Sequence, residues 1–394
     1  EHGPDAAVDD LAARTALDAR QPELLELIGG TGGTAAVARA LTREVVFPRL
    51  ARRLAVTLLR AVSAGARLRW PASPASSPGQ PRCRSSVAAY HDLVRSASEL
   101  ASRVGELADL RGGRPCTPVG WEERFDRLEP LPLLESRLEE SASRLSLAVE
   151  LDSTGLRKSL TELLAVEAEA FATTYRELVP TVWQEGDMPL WPHRVLVPLL
   201  SHHRRTSTPQ TTVLVVVDAM RRDLFRLVRA GLHSTSGSDL LQLEERTIWA
   251  LAPTLTGLNM RALTERIVPG VGDLLGEEFP DEAACDRSHA LPYAPDGVQL
   301  ETIPEIAEHV HGSTLSLARL ADAVVPAVVA RLASIIDRAR PGTLIAVAAD
   351  HGFAEVAGWR PHASSRRWRH GGLDPFEVLV PLGVYQKAWS RSGE

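Results

Sequence analysis

Apolar residues in the first half of the chain follow the period of an amphipathic helix. This spacing is clearest over residues 34–66, 84–110 and 132–178. The segments between these stretches are rich in Pro, Ser and Gly, which favour turns and loops. We therefore predict an all-helical N-terminal domain over residues 1–180, with a structural role or a role in protein contacts.

The pattern changes near residue 180. Residues 181–210 are Pro-rich and aperiodic, which predicts a connector. Over residues 211–394 short apolar runs alternate with amphipathic stretches, as in an α/β domain with helices around a parallel or mixed sheet. The predicted strands are 212–217, 246–251, 343–349 and 377–385, and the predicted helices are 219–231, 257–266 and 318–339.

The first predicted strand of the second half ends on a carboxylate. Val213 to Val217 are consecutive apolar residues, the pattern of a strand buried on both faces, and Asp218 follows directly. Ligands of open α/β sheets bind at the carboxyl ends of strands, which makes Asp218 a candidate metal or phosphate ligand. Asp is also a favoured helix cap, and this segment alone leaves both interpretations open.

A second buried strand ends in the same way. The run from Leu344 to Ala349 is followed by Asp350, His351 and Gly352. A carboxylate oxygen and an imidazole nitrogen are ligands that suit zinc or manganese. The alternative is a turn with one cap and a solvent-facing histidine. Because the strand–Asp pattern occurs twice, we favour the interpretation as metal ligands.

Two further segments carry candidate groups. In "APTLTGLNMRAL" Thr256 precedes a helix predicted to begin at Gly257, where a hydroxyl is either an N-cap or a nucleophile beside bound phosphate. In "RHGGLDPFEVLVP" His370 precedes two glycines and a strand. The two glycines alone indicate only a flexible turn.

Composition narrows the class of protein. The 394 residues include 44% hydrophobic and 24% charged residues, as in ordinary globular proteins, and a net charge of -6 gives no general attraction to nucleic acid. Three widely spaced cysteines without a CxxC pair argue against a disulfide framework or a zinc ribbon. No apolar run approaches the length of a membrane span, and the first residues carry no signal-peptide pattern. We expect a cytoplasmic protein that does not bind membranes.

Taken in order, these segments resemble the PglZ domain of the alkaline phosphatase superfamily. The similarity covers residues 206–394 and rests on "VVVDAMRRD", "APTLTGLNMRAL", "AADHGF" and "RHGGLDPFEVLVP". Each motif is short, and their order and strand contexts make the set specific. The resemblance implies an alkaline-phosphatase-like mixed or parallel sheet flanked by helices, preceded by the helical region.

The resemblance also implies roles for individual residues. Asp218, Asp350 and His351 would hold one divalent metal ion, with zinc as the first expectation and manganese as the second. Thr256 would be the nucleophile, and His370 would belong to a second metal site. Two ions about 4 Å apart can stabilise the attacking and leaving oxygens of a phosphoryl transfer.

The chain departs from the PglZ pattern between the nucleophile segment and the DHG segment. An "H-N-x-I-D" type of sequence normally supplies the remaining ligands there, and "IPEIAEHVHGSTLSLARLADAV" does not contain one. His309, His311 and Asp322 are candidates for that role, and each can equally be a surface residue. The second site is expected to be rebuilt, filled only with substrate, or lost.

Arginines are concentrated near the proposed ligands. Arg366, Arg367 and Arg369 lie in the loop before His370, and Arg221 follows Asp218 closely. Guanidinium groups bind phosphate oxygens well, and we predict substrate-binding roles for these four residues. The alternative for the loop is an exposed basic segment in an Arg-rich protein.

These features together predict a metal-dependent phosphodiesterase or phosphatase. The resemblance implies a nucleic acid or cyclic nucleotide substrate and a place in a bacterial anti-phage system such as BREX. Other proteins of such a defence complex would bind through the helical N-terminal domain. One alternative is a catalytically weak or inactive scaffold with a degraded metal site. A plain DNA-binding module is a third class, and only the local arginines support it.

Overall fold

A computed structural model of the protein describes most residues from 86 onwards. The described segments are 86–109, 115–152, 154–182, 189–197, 211–236, 240–266, 297–356 and 367–388, with residues 52, 55, 56, 58, 59, 113, 184, 199 and 268. The Pro- and Ser-rich segment 70–81, between the first two predicted helical stretches, lies outside these residues, and so does most of the predicted helix 34–66.

Helices fill the N-terminal part of the described chain and alternate with strands after residue 211. The helices are α1 (Ser86–Asp109), α2 (Pro118–Leu128), α3 (Leu131–Arg144), α4 (Ala148–Asp152), α5 (Leu156–Leu178), α6 (Arg222–Ser236), α7 (Thr256–Glu265), α8 (Glu305–Val310), α9 (Leu317–Arg338) and α10 (Pro375–Val378). The strands are β1 (Thr212–Val217), β2 (Leu240–Trp249), β3 (Val298–Ile303), β4 (Leu344–Ala348), β5 (Ala354–Glu355), β6 (Trp368–Arg369) and β7 (Leu379–Lys387).

The described residues form two compact units. The first comprises the described residues up to 108 together with 137–161, and the second comprises 109–136 and 162–388. The first unit is helical. In α1 buried apolar residues recur at helical spacing, as the sequence predicts, and they include Leu93, Val94, Ala97, Leu100, Val104 and Leu107.

The second unit is built on a five-stranded mixed sheet in the order β2-β7-β4-β1-β3. Strands β1, β3 and β4 are parallel, whereas β7 is antiparallel to both of its neighbours, β4 and β2. It follows that β7 alone runs against the other four strands. The carboxyl ends of β1, β2, β3 and β4 therefore share one edge of the sheet with the amino end of β7.

Helices α6 and α9 contribute to the core beside the sheet. Every residue of β1 and β4 is buried, and both strands belong to one hydrophobic core with the apolar stripes of the two helices. Gly231 of α6 lies so close to Val329 of α9 that a Cβ at Gly231 would approach a methyl carbon of Val329 within 2.7 Å. The mixed α/β architecture predicted from the sequence is thus confirmed.

The two edge strands explain the main differences from the sequence prediction. Strand β2 begins at Leu240 rather than 246, and β3 was not predicted, because both contain exposed polar residues that break up the apolar run. An edge strand has a neighbouring strand on one side only and is solvated on the other. Its sequence therefore shows only a weak pattern of buried apolar residues. The last strand begins at Leu379 instead of 377, since residues 375–378 form the short helix α10.

The second unit begins earlier in the chain than the sequence division at residue 180 suggests. Phe171 of α5 contacts the rings of Trp121 and Trp249, with centroids 5.1 and 5.4 Å away. The predicted connector also contributes to this unit, because Trp191 packs on Trp249 and the Leu190 carbonyl accepts a hydrogen bond from the Trp249 backbone N–H. The helical segments 109–136 and 162–180 therefore belong with the sheet.

None of the helices within the described part of the chain combines the length and the apolar character needed to cross a membrane.

Candidate functional site

Four separate chain segments meet at the edge where the parallel strands end. Asp218 follows β1, Thr256 follows β2 and begins α7, and Asp350 and His351 follow β4. His370 comes from the turn that leads into α10 and the reversed strand β7. Because β7 runs against the other strands, its amino end delivers this turn to the same edge.

Three of these residues form a group that could hold a metal ion. One ligand atom from each of Asp218, Asp350 and His351 lies within 4.8 Å of the other two. The His351 Nε2 atom is 3.6 Å from Asp218 Oδ1 and 3.5 Å from Asp350 Oδ2. Among the described residues, these three are the group of His, Cys, Asp or Glu side chains whose ligand atoms lie close enough together to hold one ion. The sequence prediction of these three residues as neighbours is confirmed.

The His351 ring is oriented so that Nε2 lies next to the carboxylates of Asp218 and Asp350. Its Nδ1 atom lies 2.8 Å from the Gly352 carbonyl oxygen, which can only accept, so Nδ1 carries the hydrogen. The Nε2 atom of a neutral ring is then left with its lone pair facing the two carboxylates. This is the usual way in which a second hydrogen bond fixes the tautomer of a metal-binding histidine.

Asp350 supplies the strongest indication that the group accepts a cation. Its carboxyl is fully buried, and Oδ1 accepts a hydrogen bond from the Ala219 backbone N–H at 3.2 Å. The other oxygen, Oδ2, has no hydrogen-bond partner in the described part of the chain. Burial raises the pKa of Asp350 to about 7. A buried carboxylate oxygen without a donor is costly unless a proton or a cation satisfies it, so the residues present fit a divalent ion.

The turn after β1 is shaped to reach Asp350. Ala219 has a φ of 59°, in the left-handed region that residues other than glycine rarely adopt. This conformation accompanies the hydrogen bond from its N–H to Asp350, which ties the end of β1 to the end of β4. Left-handed backbone at a non-glycine residue is concentrated at functional sites, where the surrounding structure offsets the strain.

Thr256 lies beside the group, although its place in the helix differs from the sequence prediction. It is the first residue of α7, and the N-cap is Leu255. Its Oγ1 therefore does not cap the helix. Instead it is 3.0 Å from His351 Nε2 and 3.4 Å from Asp218 Oδ1.

The neighbouring hydroxyl of Thr254 is engaged elsewhere. Thr254 is fully buried, and its Oγ1 donates to Glu377 Oε2 at 2.7 Å and accepts from the Gly371 N–H at 2.7 Å. The sequence pattern could not separate Thr254 from Thr256, because one residue stands between them. In the structure Thr256 lies beside the three-residue group, whereas Thr254 is bonded to Glu377 and Gly371.

His370 contacts the site through the ring of His351. Its ring stacks on that of His351 with centroids 4.5 Å apart, and its Nδ1 donates to the Thr254 carbonyl at 3.0 Å. His370 is not a member of the three-residue group. The two imidazoles are nevertheless in direct contact.

Of the three candidates for a remaining second-site ligand, His311 contacts His370. Its ring meets the His370 ring edge-on with centroids 5.1 Å apart. His309 is exposed, and its Nδ1 is bonded to the Glu305 carbonyl of its own helix. Asp322 is exposed on α9.

The arginines predicted to bind substrate have different surroundings from those expected. Arg221 is buried, holds both oxygens of Asp223 in a fork, and lies over the ring of Phe376. Arg367 is also buried, and its Nε is 2.9 Å from Glu355. These two guanidinium groups are used within the fold. Arg369 is exposed, and Arg366 lies outside the described residues.

The sequence did not lead us to the carboxylate of Glu377, which accepts hydrogen bonds from Thr254 and Gly372. Glu377 is fully buried on α10. The signal was present, since a lone Glu stands in the apolar run "FEVLVP".

Comparison of the sequence with known protein families gave no match, and comparison with curated proteins gave none either.

Proposed function

We propose that this protein is a metal-dependent phosphoric ester hydrolase of the PglZ type, a phosphodiesterase or phosphatase with an alkaline-phosphatase-like domain. The observation that carries the proposal is the position of Thr256. Its hydroxyl stands 3.0 Å from His351 Nε2 at the first turn of a helix, beside two carboxylates. A phosphoryl-transfer nucleophile requires a hydroxyl placed among metal ligands and near donors for the phosphate oxygens.

The metal would be held by Asp218, Asp350 and His351. Two carboxylates and one imidazole suit zinc first and manganese second. When bound, such an ion supplies positive charge that stabilises the developing charge on phosphate oxygens and lowers the pKa of a nearby hydroxyl. The remaining steps are carried by side chains and backbone groups of the chain.

Thr256 Oγ1 would form the new bond to phosphorus while the bond to the leaving oxygen breaks. The Thr256 hydroxyl has two acceptors within reach, His351 Nε2 at 3.0 Å and Asp218 Oδ1 at 3.4 Å. If the Nε2 lone pair were used by an ion, Asp218 Oδ1 would be the acceptor left for the hydroxyl proton. The backbone N–H groups of the first turn of α7 have no partner within the helix and are available to phosphate oxygens. Water would later cleave the phosphothreonine and regenerate the hydroxyl.

His370 and His311 would form the half-site for a second ion or for a phosphate oxygen. Their rings touch, and His370 also stacks on His351, so the pair lies beside one of the residues proposed to hold the first ion. Among the three candidates for a second ligand beside His370, which are His309, His311 and Asp322, we favour His311 because its ring contacts that of His370. A site with only two histidines binds weakly by itself and fits an ion that arrives with the substrate.

The substrate class and the biological setting rest on the resemblance to PglZ domains. We propose a phosphodiester of a nucleic acid or a cyclic nucleotide, and partners from an anti-phage defence complex of the BREX type. Arg369 is exposed in the strand that leads to His370, which fits contact with an anionic substrate.

A second candidate function is a scaffold that keeps the fold with a weak metal site. One observation favours it: the described residues provide one complete group of three ligands, and His370 is not part of that group. A scaffold should bind less than one equivalent of metal and show no metal-stimulated hydrolysis.

The test combines metal binding with hydrolysis of bis-p-nitrophenyl phosphate and p-nitrophenyl phosphate. Metal-free protein is titrated calorimetrically with zinc and with manganese. Thr256→Ala should lower the hydrolysis rate by at least about a thousandfold, because the nucleophile is lost. It should keep metal binding, and the free energy of unfolding should change by about 1 kcal/mol or less, since Thr256 is not a cap.

Two comparisons make the result specific. Thr256→Ser restores a hydroxyl at the same position and should recover much of the activity, whereas Thr235→Ala removes an exposed hydroxyl from α6 and should change nothing. Wild-type activity in Thr256→Ala would refute Thr256 as the nucleophile. Metal binding below one equivalent together with no hydrolysis by the wild type would favour the scaffold.

A further inference from the structure

A buried carboxylate that the proposed chemistry does not use touches three of the four segments that form the site. Glu377 has no exposed surface and lies on the four-residue helix α10. Its Oε2 accepts from Thr254 Oγ1 at 2.7 Å and from the Gly372 N–H at 2.6 Å. Its backbone carbonyl accepts from the Gly352 N–H at 2.8 Å. One residue thus contacts the nucleophile segment, the HGG turn and the DHG turn.

The contacts of Thr254 extend this connection to His370. Thr254 Oγ1 accepts from the Gly371 N–H at 2.7 Å while it donates to Glu377. The Thr254 carbonyl accepts from His370 Nδ1 at 3.0 Å, so that carbonyl selects the tautomer with hydrogen on Nδ1. The position of the Thr254 backbone therefore decides how the His370 ring is held.

The packing around Glu377 leaves little room for movement. A Cβ on Gly372 would lie 3.0 Å from Glu377 Oε1 and 3.3 Å from Oε2, so the turn needs glycine to approach the carboxylate. Burial, with the charge of Asp374 nearby, raises the pKa of Glu377 to about 7. An apolar side chain would avoid the cost of burying this group, so packing alone does not explain its presence.

We propose that Glu377 is a positioning residue that, through Thr254, fixes the orientation and tautomer of His370. The kinetic consequences of this role rest on the proposed function, whereas its structural consequences do not. Without the carboxylate, the Gly372 N–H and the Thr254 hydroxyl lose a shared acceptor, and the HGG turn is free to shift relative to the nucleophile segment. The hydrogen bond from His370 Nδ1 to the Thr254 carbonyl is then no longer held in one geometry.

The structural test is ring-¹⁵N NMR of histidine-labelled, metal-free protein, with the His370 signal assigned from His370→Gln. Wild-type protein should show His370 as the single tautomer with hydrogen on Nδ1. Glu377→Leu and Thr254→Val should each give mixed tautomers at His370. Glu377→Gln keeps an oxygen that can accept both hydrogen bonds, so it should preserve the wild-type pattern at some cost in stability.

The kinetic test uses the same variants. Glu377→Leu and Thr254→Val should lower kcat about tenfold to a hundredfold, as loss of a supporting hydrogen bond to a ligand typically does, and leave zinc affinity of the first site unchanged. Glu377→Gln should keep most of the wild-type kcat. Glu169→Leu, the same replacement at an exposed position of α5, should alter neither kcat nor the tautomer.

A folded Glu377→Leu protein that retains the single His370 tautomer overturns the proposal, whatever its activity. If Glu377→Leu does not fold, Thr254→Val decides in the same way. Absence of hydrolysis by the wild type would instead overturn the proposed function, and the tautomer measurement would still decide the role of Glu377.

Discussion

At Gly352 the chain has no room for a side chain. A Cβ there would lie far inside van der Waals contact with the Phe376 carbonyl oxygen, which is backbone and cannot rotate away. The close approach allows the Gly352 N–H to reach the Glu377 carbonyl. The glycine of the DHG segment is therefore required by packing of the turn against α10.

Gly352→Ala should destabilise the protein by about 2–4 kcal/mol, because the turn must move away from α10. Urea unfolding of metal-free protein measures this change. Gly105→Ala is the matched control, since a Cβ at Gly105 in α1 meets nothing within 4 Å. That variant should be more stable by about 0.5–1 kcal/mol. Equal effects of the two substitutions would contradict the packing argument.

Single residues also show where reasoning from sequence reached its limit. Asp218, Asp350 and His351 could be predicted, because buried parallel strands show as unbroken apolar runs and end at one sheet edge. Arg221 could not be read correctly from the sequence, because only the structure shows that Asp223, two residues further on, fills its fork and that both side chains are buried. Residue type indicates what a group can bind, whereas burial and neighbours decide what it does bind.

The contact between α2 and α6 contains a carboxylate held in an unfavourable place. Glu129 follows the last residue of α2 and is almost fully buried. Arg226 of α6 lies 2.7 Å from its Oε2, but burial and the nearby charge of Asp223 outweigh that attraction. They raise the pKa of Glu129 from 4.5 to about 7.

This pKa shift predicts how stability depends on pH. Between pH 4.5 and 7 the folded chain binds more protons at Glu129 than the unfolded chain, so its contribution to stability falls as pH rises through that range. Glu129→Gln cannot ionise and should gain stability relative to wild type between pH 5 and pH 8, by at most about 3 kcal/mol. Denaturant unfolding at both pH values measures the difference. Parallel stability curves for the two proteins would show that Glu129 ionises normally.

The strands differ in how accurately the sequence predicts their bounds. The central strands β1 and β4 were predicted to within a residue or so, since burial on both faces leaves an unbroken apolar run. The edge strands β2 and β3 were predicted late or not at all, because exposed polar residues such as Glu244 and Gln299 interrupt that run. The reversed direction of β7, which brings the HGG turn to the site, has no local signature in the sequence.

For the molecule as a whole, the boundary near residue 180 follows composition but not packing. Helical segments contain no strand signal, so the sequence separates them from the α/β half. The structure joins the later part of α5 to the sheet, with the Tyr175 hydroxyl donating to the Ala250 carbonyl and accepting from the Ala252 N–H. These two backbone groups lie on the path from β2 to Thr256.

This packing predicts the behaviour of shortened chains. A fragment of residues 211–394 would expose Trp249, which is fully buried in the structure, and would lose Leu190 and Val195 from the core. It should be insoluble or unfold without cooperativity, whereas a fragment of residues 109–394 should unfold cooperatively. Near-ultraviolet circular dichroism during thermal unfolding distinguishes the two. A cooperative transition in the shorter fragment would show that the helices are dispensable for the sheet.

The pairs of residues that define the site are far apart along the chain. Ala219 and Asp350 are separated by 131 positions, Thr254 and Glu377 by 123, and Thr256 and His351 by 95. Contacts of this kind form late during folding, because each must first close a long loop of chain. The candidate ion site therefore comes into existence only when β1 and β4, which carry its three ligands at their carboxyl ends, have paired. An ion that binds this site at a concentration one hundred times its Kd adds about 2.7 kcal/mol to the free energy of unfolding, and it does so only for chains that have completed their folding.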